Sequence, residues 1–204
     1  QRSLDFPGVL DSTQLNLRGI YVLNKDNEWV EAMEPIHYDK PVAGAGLAAS
    51  FAIDIKKQTE RKIGLIPCAI GGTSINLWQP NVIDPVTGIK PYNQTIEKAN
   101  IALERGILKG ILWHQGEGDS GQNGYLSYEK KIDSLLMNIS KDLNIDVNSI
   151  PILVGELGPF FTSQAKHKEA YRIDSVLHQI ANKHKNIYCV SSEGLNHKGD
   201  STHF

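Results

Sequence analysis

The 204-residue chain carries 21 Lys and Arg against 23 Asp and Glu, a formal charge of -2, with 40% hydrophobic and 22% charged residues. That balance excludes the basic footprint of a nucleic-acid binder and the polybasic face of a membrane-surface protein. No run of roughly 18 apolar residues is present to cross a bilayer. Length and composition fit one globular domain over residues 1–204.

Taken in chain order, Gly19–Leu23 and Trp29–Ala32 flank the polar stretch Asn24–Glu28, which predicts a small hairpin decorating the main sheet. Leu47, Ala48, Phe51, Ala52 and Ile55 recur at three and four residues, so a helix with one buried face starts after Gly46. Strand-like Ile63–Ala69 follows. A second helix turns Ile96, Ala99 and Leu103 inward and stops near Gly106, and Ile107–Trp113 reads as the next strand. The longest helical pattern runs through Tyr125, Tyr128, Ile132, Leu135, Leu136, Ile139 and Leu143. Pro151 then opens a strand at Ile152–Val154. A last helix with Ala170, Ile173, Leu177, Ile180 and Ala181 on one stripe leads to the strand Ile187–Val190 and a polar tail ending His203-Phe204. Strands alternating with helices predict an α/β fold, a mainly parallel sheet covered by helices on both faces. Cys68 and Cys189 each sit in an apolar run, which reads as two free core thiols, and their spacing builds no cysteine-based zinc site.

In such folds ligands bind beyond the carboxyl ends of the strands, where loops and helix N-termini converge. The residues at those places are Gly71-Gly72-Thr73-Ser74, His114-Gln115-Gly116-Glu117, Gly155-Glu156-Leu157-Gly158 and Gly199-Asp200-Ser201-Thr202-His203. The glycine pair serves either a tight turn or a backbone N–H exposed to an oxyanion. Trp78 is either core or the wall of a sugar pocket. Gln115 has an amide that can donate to an oxyanion, and Glu117 a carboxylate that can orient a histidine. Asp200 and His203, three residues apart, are spaced for the carboxylate to accept Nδ1–H while Nε2 stays free as a base, or form an incidental surface pair. A metal reading of His114 with Glu117 lacks further ligands at recognisable spacing.

Together these stretches resemble a known family. Glu34-Pro35-Ile36-His37 with Gly44-Ala45-Gly46, the run Gly64–Ile75 with Trp78, Trp113–Glu117 and Asp200–Phe204 are, in that order, similar to the sialate O-acetylesterase and acetylxylan-esterase group of the SGNH hydrolases. The resemblance implies a flavodoxin-like three-layer α/β/α sandwich and a serine-type O-acetylesterase acting on acetylated xylan or sialic acid through an acetyl-enzyme. It implies His203 as base, Asp200 as its orienting acid and Glu117 as a second acid. The backbone N–H of Gly71 or Gly72 and the side chain of Gln115 are implied as the oxyanion hole. No metal and no cofactor are required.

Two departures stand out. The family's Gly-Gln-Ser-Asn nucleophile motif is not in the sequence, which places the expected serine upstream of Gln1, and the family's closing helix after the histidine is also missing. Glu117-Gly118-Asp119 stands where the family has Glu-Ser-Asp. Ser3, Ser74 and Ser120 are decoys for the nucleophile, since none follows the expected first strand. The alternative is a non-catalytic carbohydrate-binding relative that has lost its nucleophile. The residues leave the compartment open, with no signal peptide in the chain; the family suggests a secreted or periplasmic one.

Overall fold

The computed structural model describes residues 15–41, 43–121, 123–164, 167, 169–197 and 199–204. Backbone contacts divide the chain into a first unit, residues 1–71 with 97–106, and a second unit, residues 72–96 with 107–204.

In the first unit β1 (Ile20–Leu23) pairs antiparallel with β2 (Trp29–Glu31), with Val22 opposite Val30, and parallel with β3 (Ile63–Leu65), with Tyr21 opposite Gly64. The expected hairpin is there, and it extends the sheet through β1 rather than lying beside it. Helix α1 (Leu47–Thr59) packs over this sheet through Ala48, Ala49, Ala52 and Ile53, together with Leu17, Ile20, Val22 and Ile36. Ala48 and Ala52 of the expected stripe face the sheet, but Ala49 and Ile53 join them where Leu47 was expected, and Leu47 is left 51% exposed. Small alanines win the inner face because they let the helix approach the sheet closely. β3 is shorter than the apolar run suggests. It ends before Pro67, which has no N–H for a ladder, and the Pro67 carbonyl instead accepts from the buried Lys98 at 3.0 Å. The Glu34 carboxylate accepts from the N–H of Ile36 at 2.8 Å and of Gly46 at 3.3 Å, which explains why the two segments belong to one motif.

The second unit is built on a parallel sheet in the order β4 (Ile111–Trp113), β5 (Ile152–Gly155), β6 (Ile187–Val190), with Ile111 opposite Ile152 and Val154 opposite Cys189. Helix α2 (Pro91–Leu103) precedes β4 in the chain. The expected strand at Ile107 starts only at Ile111. A side chain at Gly110 would lie 3.1 Å from the Pro151 carbonyl, and Ile107 is 77% exposed, so the first half of that apolar run is a connector. Helices α3 (Tyr125–Asp142) and α5 (Ala170–Lys183) supply the core against the sheet, and a short α4 (Pro159–Thr162) precedes α5. Tyr128, Ile132, Leu135 and Ile139 of α3 are buried, and Ala170, Ile173, Leu177 and Ile180 of α5 are fully enclosed. Helical periodicity located both stripes correctly. Cys68 and Cys189 are not disulfide-bonded, as expected, but both are only half-buried where core positions were expected.

Candidate active site

The second unit assembles its polar residues at the carboxyl end of β4. The chain leaves the sheet at Trp113, and Gln115 comes next but one. Its Nε2 donates to the Thr73 carbonyl at 3.0 Å and to Asp119 Oδ2 at 2.8 Å, while Oε1 lies 2.9 Å from the Tyr128 hydroxyl. Both amide hydrogens are thus engaged inside the protein. In this arrangement Gln115 ties the loop after Gly72 to the loop after β4, and it offers no N–H to an oxyanion unless it lets go of one partner.

Asp119 is 4% exposed, and its Oδ2 also accepts from the Ile75 N–H at 2.8 Å. Tyr128, fully buried on α3, faces the Gln115 carbonyl at 2.6 Å and accepts from Trp113 Nε1 at 3.2 Å. Burial drives the Tyr128 hydroxyl far above the usual phenol range, so it is a permanent hydrogen-bond donor. Gly118 fits closely here, since a side chain would stand 3.2 Å from the Ser74 backbone, tighter than ordinary contact. Asp119 and Tyr128 were not picked out from the sequence. The available signal was a hydroxyl in the middle of a buried helical stripe, which demands a partner.

Asp200 and His203 form the arrangement their spacing allows. His203 Nδ1 and Asp200 Oδ2 are 2.7 Å apart, and Asp200 Oδ1 accepts from the N–H groups of Thr202 and His203 at 2.9 Å each. Ser201 takes φ 56° between them, and Gly199 takes φ 113°. Partial desolvation works against ionisation, yet the bonds from the His203 ring, the His203 N–H and the Thr202 N–H hold the Asp200 carboxyl well below the usual range. Nε2 of His203 has no hydrogen-bond partner among the described residues. Gln164 Nε2 donates to the Ser201 carbonyl, and Phe204 meets Phe160 edge-on at 5.3 Å and His114 at 5.6 Å, which fixes the loop from both sides.

The other expected site residues are placed as follows. Glu117 Oε2 turns back to its neighbour's N–H, that of Gly116, at 3.2 Å, and no hydrogen bond joins it to His203 among the described residues. In the first unit the Gly71 N–H donates to Asp39 at 2.8 Å and its carbonyl accepts from Lys40 at 2.6 Å, so that N–H is already engaged. Gly72 is exposed and takes φ 83°, a left-handed conformation that favours glycine. Trp78 is core: it is 7% exposed, donates to Thr73 Oγ1 at 3.0 Å and packs edge-on against Trp113 at 5.3 Å. It is no sugar platform. Of the decoy serines, Ser120 is buried and donates to the Glu117 carbonyl at 2.7 Å, while Ser3 lies outside the described residues.

Over residues 3–204 the sequence matches the family described as carbohydrate esterase, sialic acid-specific acetylesterase. The chain belongs to this family. It is a family of carboxylic ester hydrolases, and the α/β architecture and the motif order agree with it. A probable carbohydrate esterase of Arabidopsis thaliana is 32% identical over 189 residues, covering 89% of this chain and 66% of that relative's length. A solved Arabidopsis thaliana structure superposes with a TM-score of 0.77 at 30% identity over 91% of this chain and 73% of that one. A carbohydrate acetylesterase from Xanthomonas citri gives 0.69 at 16% identity over 92% and 45%, and NanS gives 0.63 at 16% over 87% and 70%. These last two establish the fold alone, the SGNH-type α/β arrangement. Within this esterase family the paired Asp200 and His203 acquire a chemical context that a three-residue spacing lacks.

Proposed function

We propose that the protein is a serine-type carbohydrate O-acetylesterase that removes acetyl groups from acetylated sugars through an acetyl-enzyme. The observation that carries this reading is the Asp200–His203 pair, a histidine fixed through Nδ1 with Nε2 free, in a member of a carbohydrate esterase family. An ionised Asp200 holds the ring in the tautomer whose Nε2 accepts a proton and stabilises the imidazolium that forms. The nucleophile is the serine of the family's Gly-Gln-Ser-Asn motif, expected upstream of Gln1. Serine adds to the acetyl carbonyl and gives its proton to Nε2. The tetrahedral oxyanion collapses, the sugar alcohol leaves with that proton, and water then hydrolyses the acetyl-enzyme by the same route.

For the oxyanion, the Gly72 N–H is the better candidate, because the hydrogens of Gly71 N and Gln115 Nε2 are engaged within the protein. Gln115 acts as the tie that keeps the loop after Gly72 in place. Glu117 plays no direct part in holding His203, a role that falls to Asp200.

The test is acetate release from an aryl acetate, from acetylated xylan and from O-acetylated sialic acid. His203→Ala should lower kcat by about 10⁴ to 10⁶ by analogy with other serine hydrolase triads. Acetate release by His203→Ala at the wild-type rate overturns the assignment. Binding of acetylated sugar without any release by the wild type favours a non-catalytic relative.

A further inference from the structure

We propose that Glu156, His178 and Cys189 form a three-ligand site for a zinc-type divalent cation, outside the Asp200–His203 pair and sharing no residue with it. Among the described residues these three bring a carboxylate oxygen, an imidazole nitrogen and a sulfur within 4.8 Å of one another. The ligand spacing Glu156, His178, Cys189 matches no sequence pattern, because the three come from a strand end, a helix and a neighbouring strand.

The fold explains the convergence. Alternation along β6 puts Cys189 on the same side as the buried Ile187, against the core cluster that includes Leu177 and Ile180 of α5. His178 follows Leu177 on α5 and so sits at the rim of that stripe, half-exposed. Glu156 is the first residue after β5, and its N–H donates to the Val190 carbonyl at 3.1 Å. The donor set is mixed, with one soft and two harder ligands, and it leaves a fourth position open to water. That is the pattern of a zinc site with an accessible face.

The surroundings are those of a held ligand. Glu156 Oε2 accepts from the Ser192 N–H at 2.8 Å and from the Ser191 hydroxyl at 3.1 Å. This leaves Oε1 for His178 Nε2, which it meets at 2.5 Å. Groups that fix the second oxygen of a ligating carboxylate orient the first one.

Tetrahedral zinc places such ligand atoms roughly 3.3 to 3.5 Å apart. The ion therefore enters by opening the His178–Glu156 contact and drawing Cys189 in, and the half-exposed His178 has the freedom to follow. On binding, Cys189 gives its thiol proton to solvent, Nε2 coordinates, and the proton of the neutral ring resides on Nδ1.

The experiment is a cobalt(II) titration of the metal-stripped protein, read by the thiolate-to-cobalt absorption in the near ultraviolet, alongside zinc binding by competition with a chromophoric chelator. The wild type and Cys68→Ser should show one cobalt per chain with sulfur ligation. Cys189→Ser should lose the absorption. His178→Gln, at a half-exposed position where the fold is least at risk, should weaken both metals by about 10- to 100-fold, as should Glu156→Gln. Sulfur-to-cobalt absorption that persists in Cys189→Ser, or equal zinc affinity in wild type and His178→Gln, overturns the proposal. So does a lack of sulfur ligation in the wild type with cobalt in large excess. Because the readout is spectroscopic, its failure leaves the acetylesterase reading standing, and loss of acetate release leaves the metal site standing.

Discussion

Asp119→Ala removes one oxygen that serves two donors, the Ile75 N–H and Gln115 Nε2, each at 2.8 Å. Ile75 is fully buried, so its stranded N–H costs about 1 to 3 kcal/mol. The Gln115 amide is half-buried and recovers part of its loss from water, and removing a buried carboxylate returns some desolvation energy. The net loss should be about 2 to 3 kcal/mol, which for a chain of this size lowers the melting temperature by about 4 to 12 °C. Asp119→Asn keeps an acceptor at the same place and should lose less. Thermal unfolding followed by circular dichroism measures both, and acetate release by the Ala variant should fall because the loop after Gly72 loses its tie. In a double-mutant cycle with Gln115→Ala the two changes should couple by about 0.5 to 3 kcal/mol. An unchanged melting temperature in Asp119→Ala, or strict additivity with Gln115→Ala, refutes the reasoning that these residues act as one clamp.

Three further outcomes follow from the same geometry. Asp200→Asn should keep the fold and lower kcat by about 10³ to 10⁴, since the ring then loses the partner that fixes its tautomer. Because the Asp200 carboxyl lies well below its ordinary value, it stays ionised throughout the working range. Its contribution to stability is lost progressively as pH falls from the ordinary carboxylate value of 3.8 through that depressed one, so the acid limb of a kcat profile in wild type should not track it. Burial raises the Asp174 carboxyl from 3.8 to about 6, with the Leu157 N–H opposing and Glu156 adding. The folded state then keeps a proton that the unfolded chain has released, so stability falls as pH rises through that window. With solvent screening discounted, Asp174→Asn should flatten this slope and stabilise the protein near neutrality by about 1 to 2 kcal/mol, as read by urea unfolding at several pH values. Gly116→Ala places a methyl 2.6 Å from Ile173 Cγ2 and 3.3 Å from Leu157, and should destabilise by about 1 to 3 kcal/mol in the same assay.

Periodicity made the helices legible, and it did best where the stripe was long. The α5 residues Ile173, Leu177 and Ile180 were located without error, whereas in α1 Ala48 and Ala52 were located but Leu47 was placed inside where Ala49 is. Strand ends read from apolar runs were too generous at Ile107 and at Pro67, because an apolar residue says nothing about whether its backbone finds a neighbour. Asp200 and His203 were visible since three residues of spacing suffice for their bond. The engagement of Gln115 was not visible, because its partners Thr73 and Tyr128 are distant in sequence, and a single residue type cannot show that its hydrogens are already taken.

The turn from Asp84 to Ile89, within the loop from Gln79 to Pro91, closes on itself. The Asp84 N–H donates to the Ile89 carbonyl at 2.7 Å, the Gly88 N–H donates to the Asp84 carbonyl at 2.8 Å, and the Asp84 carboxylate accepts from Val86 N–H and the Thr87 hydroxyl. Val86 at its tip is 89% exposed. Such a self-contained turn behaves as a cassette. Its tip can be exchanged, lengthened or fused to another peptide while Asp84 keeps the stem shut, which makes it the natural insertion point for retargeting or immobilising this esterase-family protein.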